Sequence, residues 1–96
     1  MAGIRWSFEA RQDLDTIFLK LSSESVSYSQ KWINDVFNKT ELLEKFPNMG
    51  RTLPETRLSS IREILVGKYR IIYNVAKDNT IEIMAIRHSS RPLSEY

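Results

Sequence analysis

The chain has 96 residues, 42% of them hydrophobic and 27% charged, with three glycines, no cysteine and a formal net charge of +2. That length suits one compact domain over residues 1–96 with a thin core, not an elaborate two-domain catalytic cleft. The composition excludes a disordered chain, and the lack of cysteine excludes a disulfide scaffold and thiolate metal or redox chemistry.

In chain order, GIRWSF (residues 3–8) alternates apolar with polar side chains and predicts a short strand, after which Ser7 can cap a helix. From Ala10, apolar residues recur at Leu14, Ile17, Phe18 and Leu21, one stripe of a helix, with Asp13 and Asp15 near its positive end. The run SSES (22–25) ends that helix and starts a second, because serine hydroxyls compete for backbone hydrogen bonds. The second helix carries Val26, Trp32, Ile33, Val36, Phe37, Leu43 and Phe46, mainly on one face, until Pro47 stops it. Two amphipathic helices so closely joined predict an antiparallel hairpin, one stripe of which covers a sheet. FPNMGRTLPET (46–56), with two prolines and a glycine, reads as a loop. Ile61–Val66 and Tyr69–Ala76 then read as strands turning at Gly67, and Thr80–His88 as a third strand after Lys77-Asp78-Asn79. HSSRPLSEY (88–96) is a polar tail.

Strand alternation places Tyr69, Ile71, Tyr73 and Val75 on the core face and Arg70, Ile72 and Asn74 on the other. In the last strand Ile81, Ile83 and Ala85 form the natural core set, which puts Glu82, Met84, Ile86 and His88 on the face of Arg70. The strand at 61–66 has two open registers: Ile64 and Val66 inward with Arg62 beside them, or Ile61 and Leu65 inward with Glu63.

Charge is distributed unevenly. Residues 1–45 hold six basic and seven acidic side chains, residues 46–96 eight and five, and six of the latter eight are arginines. Arginine's planar fork suits phosphate or carboxylate, so an arginine-bearing sheet face is the candidate interaction surface; a nucleic-acid-binding module that tracks phosphates is one function it could serve. His88 is the sole histidine, so no histidine pair or Cys-His arrangement exists, and neither a metal site nor a cofactor is expected. Glu63 reads as a base or as the salt-bridge partner of an arginine on a neighbouring strand. Trp6 and Trp32 lie in apolar patterns and read as core rather than stacking platforms. No glycine-rich phosphate cradle is present. No apolar run approaches the roughly 20 residues needed to span a bilayer, and charge arrives too early for a signal peptide, so cytoplasm is the expected compartment.

The order WSFEA, a DL-containing helix, FPNMGR, IREILVGKYRIIYNV, a KDN turn and IEIMAIRHSSRPL resembles the RelE/ParE superfamily of bacterial toxins over almost the full chain. Its specific pieces are P-x-x-G-R at Pro47 to Arg51, V-G-x-Y-R-I-I-Y at Val66 to Tyr73, and H-x-x-R at His88 to Arg91. The resemblance implies an α+β fold, a short N-terminal strand and helical hairpin packed on a curved antiparallel β-sheet. It also implies the toxin of a type II toxin-antitoxin pair, with a cognate antitoxin as partner and growth arrest as effect. The ParE-like branch inhibits DNA gyrase, and Arg62, Arg70, Arg87, His88 and Arg91 would then form a target-binding face. The RelE-like branch cleaves messenger RNA on the ribosome; Arg70, His88, Arg91 and Tyr96 would then be the catalytic candidates. Residues 61–65 offer Arg62 and Glu63 where that branch carries paired lysines, and WSFEA with RQDLDTIFLKL resembles the ParE-like branch more closely.

Overall fold

The computed structural model describes residues 3–90. Ile4–Trp6 forms strand β1, Phe8–Glu24 helix α1, Val26–Lys45 helix α2, Arg51–Thr52 strand β2, Ile61–Val66 strand β3, Tyr69–Val75 strand β4 and Ile81–His88 strand β5; a 3-10 turn covers Pro54–Thr56. The five strands make one sheet in the order β1-β5-β4-β3-β2. β2 through β5 pair antiparallel, as expected, but β1 pairs parallel with β5, so the sheet is mixed.

Local chemistry sets the helix ends. Ser7 accepts a hydrogen bond from the Ala10 N–H at 3.0 Å and caps α1. Ser25 both ends α1, its N–H bonding to Leu21 O, and caps α2 by accepting from the Tyr28 N–H. One residue therefore joins the helices. They pack on each other and on one face of the sheet, α1 against β5 and α2 against β3 and β1.

Ala10, Ile17 and Leu21 of α1 and Trp32, Val36 and Leu43 of α2 enter the core, meeting Ile64, Val66, Tyr69, Ile71, Tyr73, Ile81, Ile83 and Ile86 of the sheet. The α2 stripe is rotated from the one expected. Ser29 and Thr40 are buried on it, while Val26, Phe37 and Phe46 are exposed. These two hydroxyls enter the core because each bonds back to its own helix, to Val26 O and Phe37 O, and so carries no unsatisfied group inward. Trp32 is a core residue as expected; its indole N–H donates to Val66 O at 3.2 Å. Trp6 is half-buried, 6.1 Å from Phe37.

The loop at 46–56 contains the unexpected two-residue strand β2, and Tyr73 organises the turn that precedes it. The Tyr73 hydroxyl donates to Pro47 O at 2.8 Å and accepts from the Gly50 N–H at 3.0 Å. Gly50 has to be glycine, since a Cβ there would lie 2.4 Å from the Tyr73 oxygen and 2.7 Å from the backbone oxygen of Glu63. Burial pushes the Tyr73 phenol above its ordinary pKa of 10.0. Tyr73→Phe is expected to cost roughly 1–3 kcal/mol by stranding both backbone groups. Because the folded-state pKa is raised, the fold disfavours the phenolate, and stability present below pH 10 is lost as pH rises beyond it. Urea titrations of both proteins across that window check this: the wild-type midpoint should fall more steeply than that of Tyr73→Phe.

Candidate functional site

Register decides which arginines share a surface. Arg62 pairs with Tyr73, Ile64 with Ile71 and Val66 with Tyr69, so of the two open registers the strand adopts the one with Arg62 on the helix-facing side. Glu63 pairs with Ile72, and Leu65 with Arg70, on the far side. Between β4 and β5 the pairing runs Arg70 with Arg87 and Ile72 with Ala85, then Tyr73 with Ile83, leaving Met84 as an extra residue. That bulge reverses the alternation of β5. Ile81 and Ile83 face the helices, as expected; beyond Met84 it is Ile86 and His88 that do, while Ala85 and Arg87 take far-side positions in the register, the Arg87 side chain running over the β5 edge to α1. The expected core set of Ile81, Ile83 and Ala85 is thus corrected to Ile81, Ile83 and Ile86, and His88 does not share a face with Arg70.

Each candidate arginine within the described residues is engaged inside the molecule. Arg62 donates to Asn48 O at 3.1 Å and Gly50 O at 2.7 Å, clamping from a second direction the turn that Tyr73 holds. Arg70, with a side chain 13% exposed, bonds Glu63 at 3.3 Å and Ser89 O at 2.6 Å. It stands on the sheet face away from the helices, as expected, but is largely covered and already engaged within the molecule. Arg87 contacts Asp13 at 2.6 Å and Glu9 at 2.7 Å, both on α1. Burial alone would lower the Arg87 pKa, but the Glu9 and Asp13 carboxylates outweigh it and raise the value. Asp13 also accepts from the Ile86 N–H at 3.0 Å, so one carboxylate holds the β5 edge and the arginine beside it. Arg91 and Tyr96 lie outside the described residues.

His88 stacks edge-on against Tyr69, centroids 5.2 Å apart, and Tyr69 stands 5.5 Å from Trp32. The Ser90 N–H lies 3.2 Å from His88 Nδ1 and donates to it, which fixes that nitrogen as an acceptor and leaves Nε2 to carry the proton of the neutral ring. Together with Lys20, Asp13 and Arg87, His88 borders an open groove of about 570 Å³ between α1 and β5. Among the described residues no cluster of histidine, aspartate and glutamate could hold a metal, and no helix is long and apolar enough to cross a membrane.

The far face holds two ion networks. At the β1 end, Glu82 accepts from Asn74 at 2.8 Å and from Arg5 at 2.7 Å, and these bonds, the Asn74 amide foremost, lower its pKa. At the β3 end, Glu63 is 4% exposed and lies between Arg70 and Arg51 Nε, the latter 3.0 Å away. Its reading as a salt-bridge partner matches this geometry. Arg51 escaped the candidate set although it closes the P-x-x-G-R motif; the signal was there, but the residue was placed in a loop instead of on a paired strand.

A family model described as the ParE toxin of the type II toxin-antitoxin system parDE matches residues 4–93. The chain belongs to the ParE toxin family. Among solved structures it is similar to a chain of the chromosomal ParDE TA system from P. aeruginosa, with TM-score 0.73 and 20% identity over 92% of this chain and 96% of that one. It is also similar to a chain of the toxin-antitoxin complex RelBE2 from Mycobacterium tuberculosis, with TM-score 0.58 and 21% identity over 91% and 96%. These likenesses establish the shared fold of helices on a mixed sheet. No curated protein matches the chain.

The two networks should differ in weight. Glu63→Ala leaves the enclosed Arg70 without its carboxylate and is expected to cost about 3 kcal/mol, whereas Arg5→Ala, at an exposed pair, should cost under about 1 kcal/mol. Denaturant unfolding of both variants checks the ranking.

Proposed function

We propose that this type II toxin acts on DNA gyrase, inhibiting it by binding without breaking a bond itself, and that a cognate antitoxin neutralises it. The observation that carries this reading is the separation of the chemistry-bearing side chains. Arg70 and His88 stand on adjacent strands, yet they project from opposite faces, because Tyr69 is the partner of His88 and Arg87 the partner of Arg70. RNA cleavage through the 2′-hydroxyl requires an acid, a base and cations converging on one phosphate. That divergence, and the engagement of Arg70 by Glu63 and Ser89, support a recognition surface instead. Membership of the ParE family supports the same choice of target. His88, Arg87 beside it on the same groove, and Arg91 are the proposed target contacts, whereas Arg70 contributes through its bonds to Glu63 and Ser89 and Arg62 by fixing the 47–50 turn.

A second reading, ribosome-dependent cleavage of messenger RNA, draws on the cluster of Glu63 with Arg51 and Arg70, which has the charge types of a base flanked by phosphate-binding cations. Catalytic roles for Arg70, His88, Arg91 and Tyr96 belong to that reading. Salt-dependent binding to free DNA or RNA would point to the third, a nucleic-acid-binding module.

Expression of the chain alone should arrest growth, and co-expression with its antitoxin should restore it. Purified protein is expected to block supercoiling by gyrase and to leave messages on programmed ribosomes intact; cleaved messages with unaffected supercoiling would reverse the assignment. Arg91→Ala should weaken gyrase inhibition about tenfold or more with no change in thermal unfolding, the loss of one charge-assisted contact.

A further inference from the structure

Asp13, Thr16 and Lys20 recur along α1 at steps of three and four residues, so they share the helix face that walls the groove between α1 and β5. Tyr69 of β4 and His88 of β5 line the same groove. Tyr69 is only 8% exposed, yet its hydroxyl makes no hydrogen bond among the described residues. A buried phenol normally finds a partner, as Tyr73 does twice over. His88 Nδ1 is occupied by Ser90, which leaves the Nε2 proton without a partner among the described residues. The Lys20 ammonium has no ion pair there either. Three donors with nothing to donate to therefore border one groove. The acceptor side is already spent: Asp13, the one carboxylate lining the groove, takes the Ile86 N–H and Arg87 on a single oxygen, and Arg87 also reaches Glu9.

We propose that this groove binds a carboxylate side chain of the protein target, which accepts from Tyr69, from His88 and from Lys20. Donors without acceptors call for an oxyanion, whereas a cation entering here would meet Lys20 and Arg87. Because the Arg87 charge is shared between two carboxylates, Lys20 is the one unmatched charge lining the groove, and it balances a carboxylate better than a phosphate monoester of nearly two charges. Two of the three donors are held in advance. The Tyr69 ring stands 5.5 Å from Trp32 and 5.2 Å from His88, and Ser90 fixes the imidazole, so only the Lys20 side chain has to be ordered on binding. Lys20 and Tyr69 thereby join His88 as target contacts. For the source of the carboxylate the inference rests on the reading of gyrase as target; binding of the carboxylate itself does not depend on it.

The test titrates the full chain, isotope-labelled and at constant ionic strength, with N-acetyl-glutamate N-methylamide, with its glutamine counterpart and with inorganic phosphate. The glutamate probe should give saturable shifts confined to residues 16–20, 69 and 86–90, with a midpoint of roughly 10 mM, the strength of two charge-assisted hydrogen bonds. Lys20→Gln and Tyr69→Phe should each weaken it about fivefold or more. Tyr69→Phe should leave thermal unfolding unchanged, since the hydroxyl holds nothing in the free fold, and should weaken gyrase inhibition in parallel. No saturable shift up to about 100 mM, equal binding of the glutamine probe, tighter binding of phosphate, or wild-type binding by Tyr69→Phe would overturn the proposal. Saturable glutamate binding by a chain that leaves gyrase untouched would uphold the site and overturn the gyrase reading alone.

Discussion

The extra residue at Met84 governs the arrangement of the candidate surface. Side chains on a strand alternate, so one inserted residue sends everything beyond it to the opposite face. Here it brings Ile86 under α1, turns His88 onto Tyr69, and pairs Arg87 with Arg70 at the β5 edge, from which its guanidinium reaches α1. Asp13 then reads the altered edge directly, binding the Ile86 N–H and the Arg87 guanidinium with one carboxylate. Without the bulge, His88 would lie on the face of the sheet that Arg70 occupies.

A second constraint is that the sheet side away from the helices still contains buried charge. Glu63 is more enclosed than either arginine it binds, and Arg70 is itself largely covered. A buried carboxylate is tolerable only when its charge and lone pairs are met. The two guanidiniums do this and tie β2, β3 and β4 together. Arginine at these positions therefore serves the scaffold first, and Arg51 retains the greater freedom to meet another molecule.

Much of this was legible in the sequence wherever a residue acts through its own backbone. Ser7 and the SSES run marked helix ends, Pro47 the stop of α2, and Gly67 a turn at φ 61°. The inward row Tyr69, Ile71 and Tyr73 followed from alternation. What alternation could not reveal was where it breaks: IEIMAIRH reads as one unbroken strand, and the bulge depends on the pairing with β4. The α2 stripe was misjudged because counting apolar residues misses hydroxyls satisfied within the helix. β2 was missed because two residues carry no periodicity, and their pairing depends on contacts with Tyr73 and Arg62 from distant sequence. The arginine face was read from charge alone, which does not distinguish a solvated guanidinium from one already facing a carboxylate.

The single-residue joint at Ser25 has a mechanical consequence. A longer connection would let the two cylinders splay or rock, and would offer proteases a strip of loose backbone. Ser25 instead donates its amide to one helix while its hydroxyl starts the next, and Ser22 reaches Ser29 across the corner at 2.9 Å. The hairpin therefore behaves as a stiff bracket whose outer contour is set before any visitor arrives, and whatever wraps around it must supply the adaptability itself.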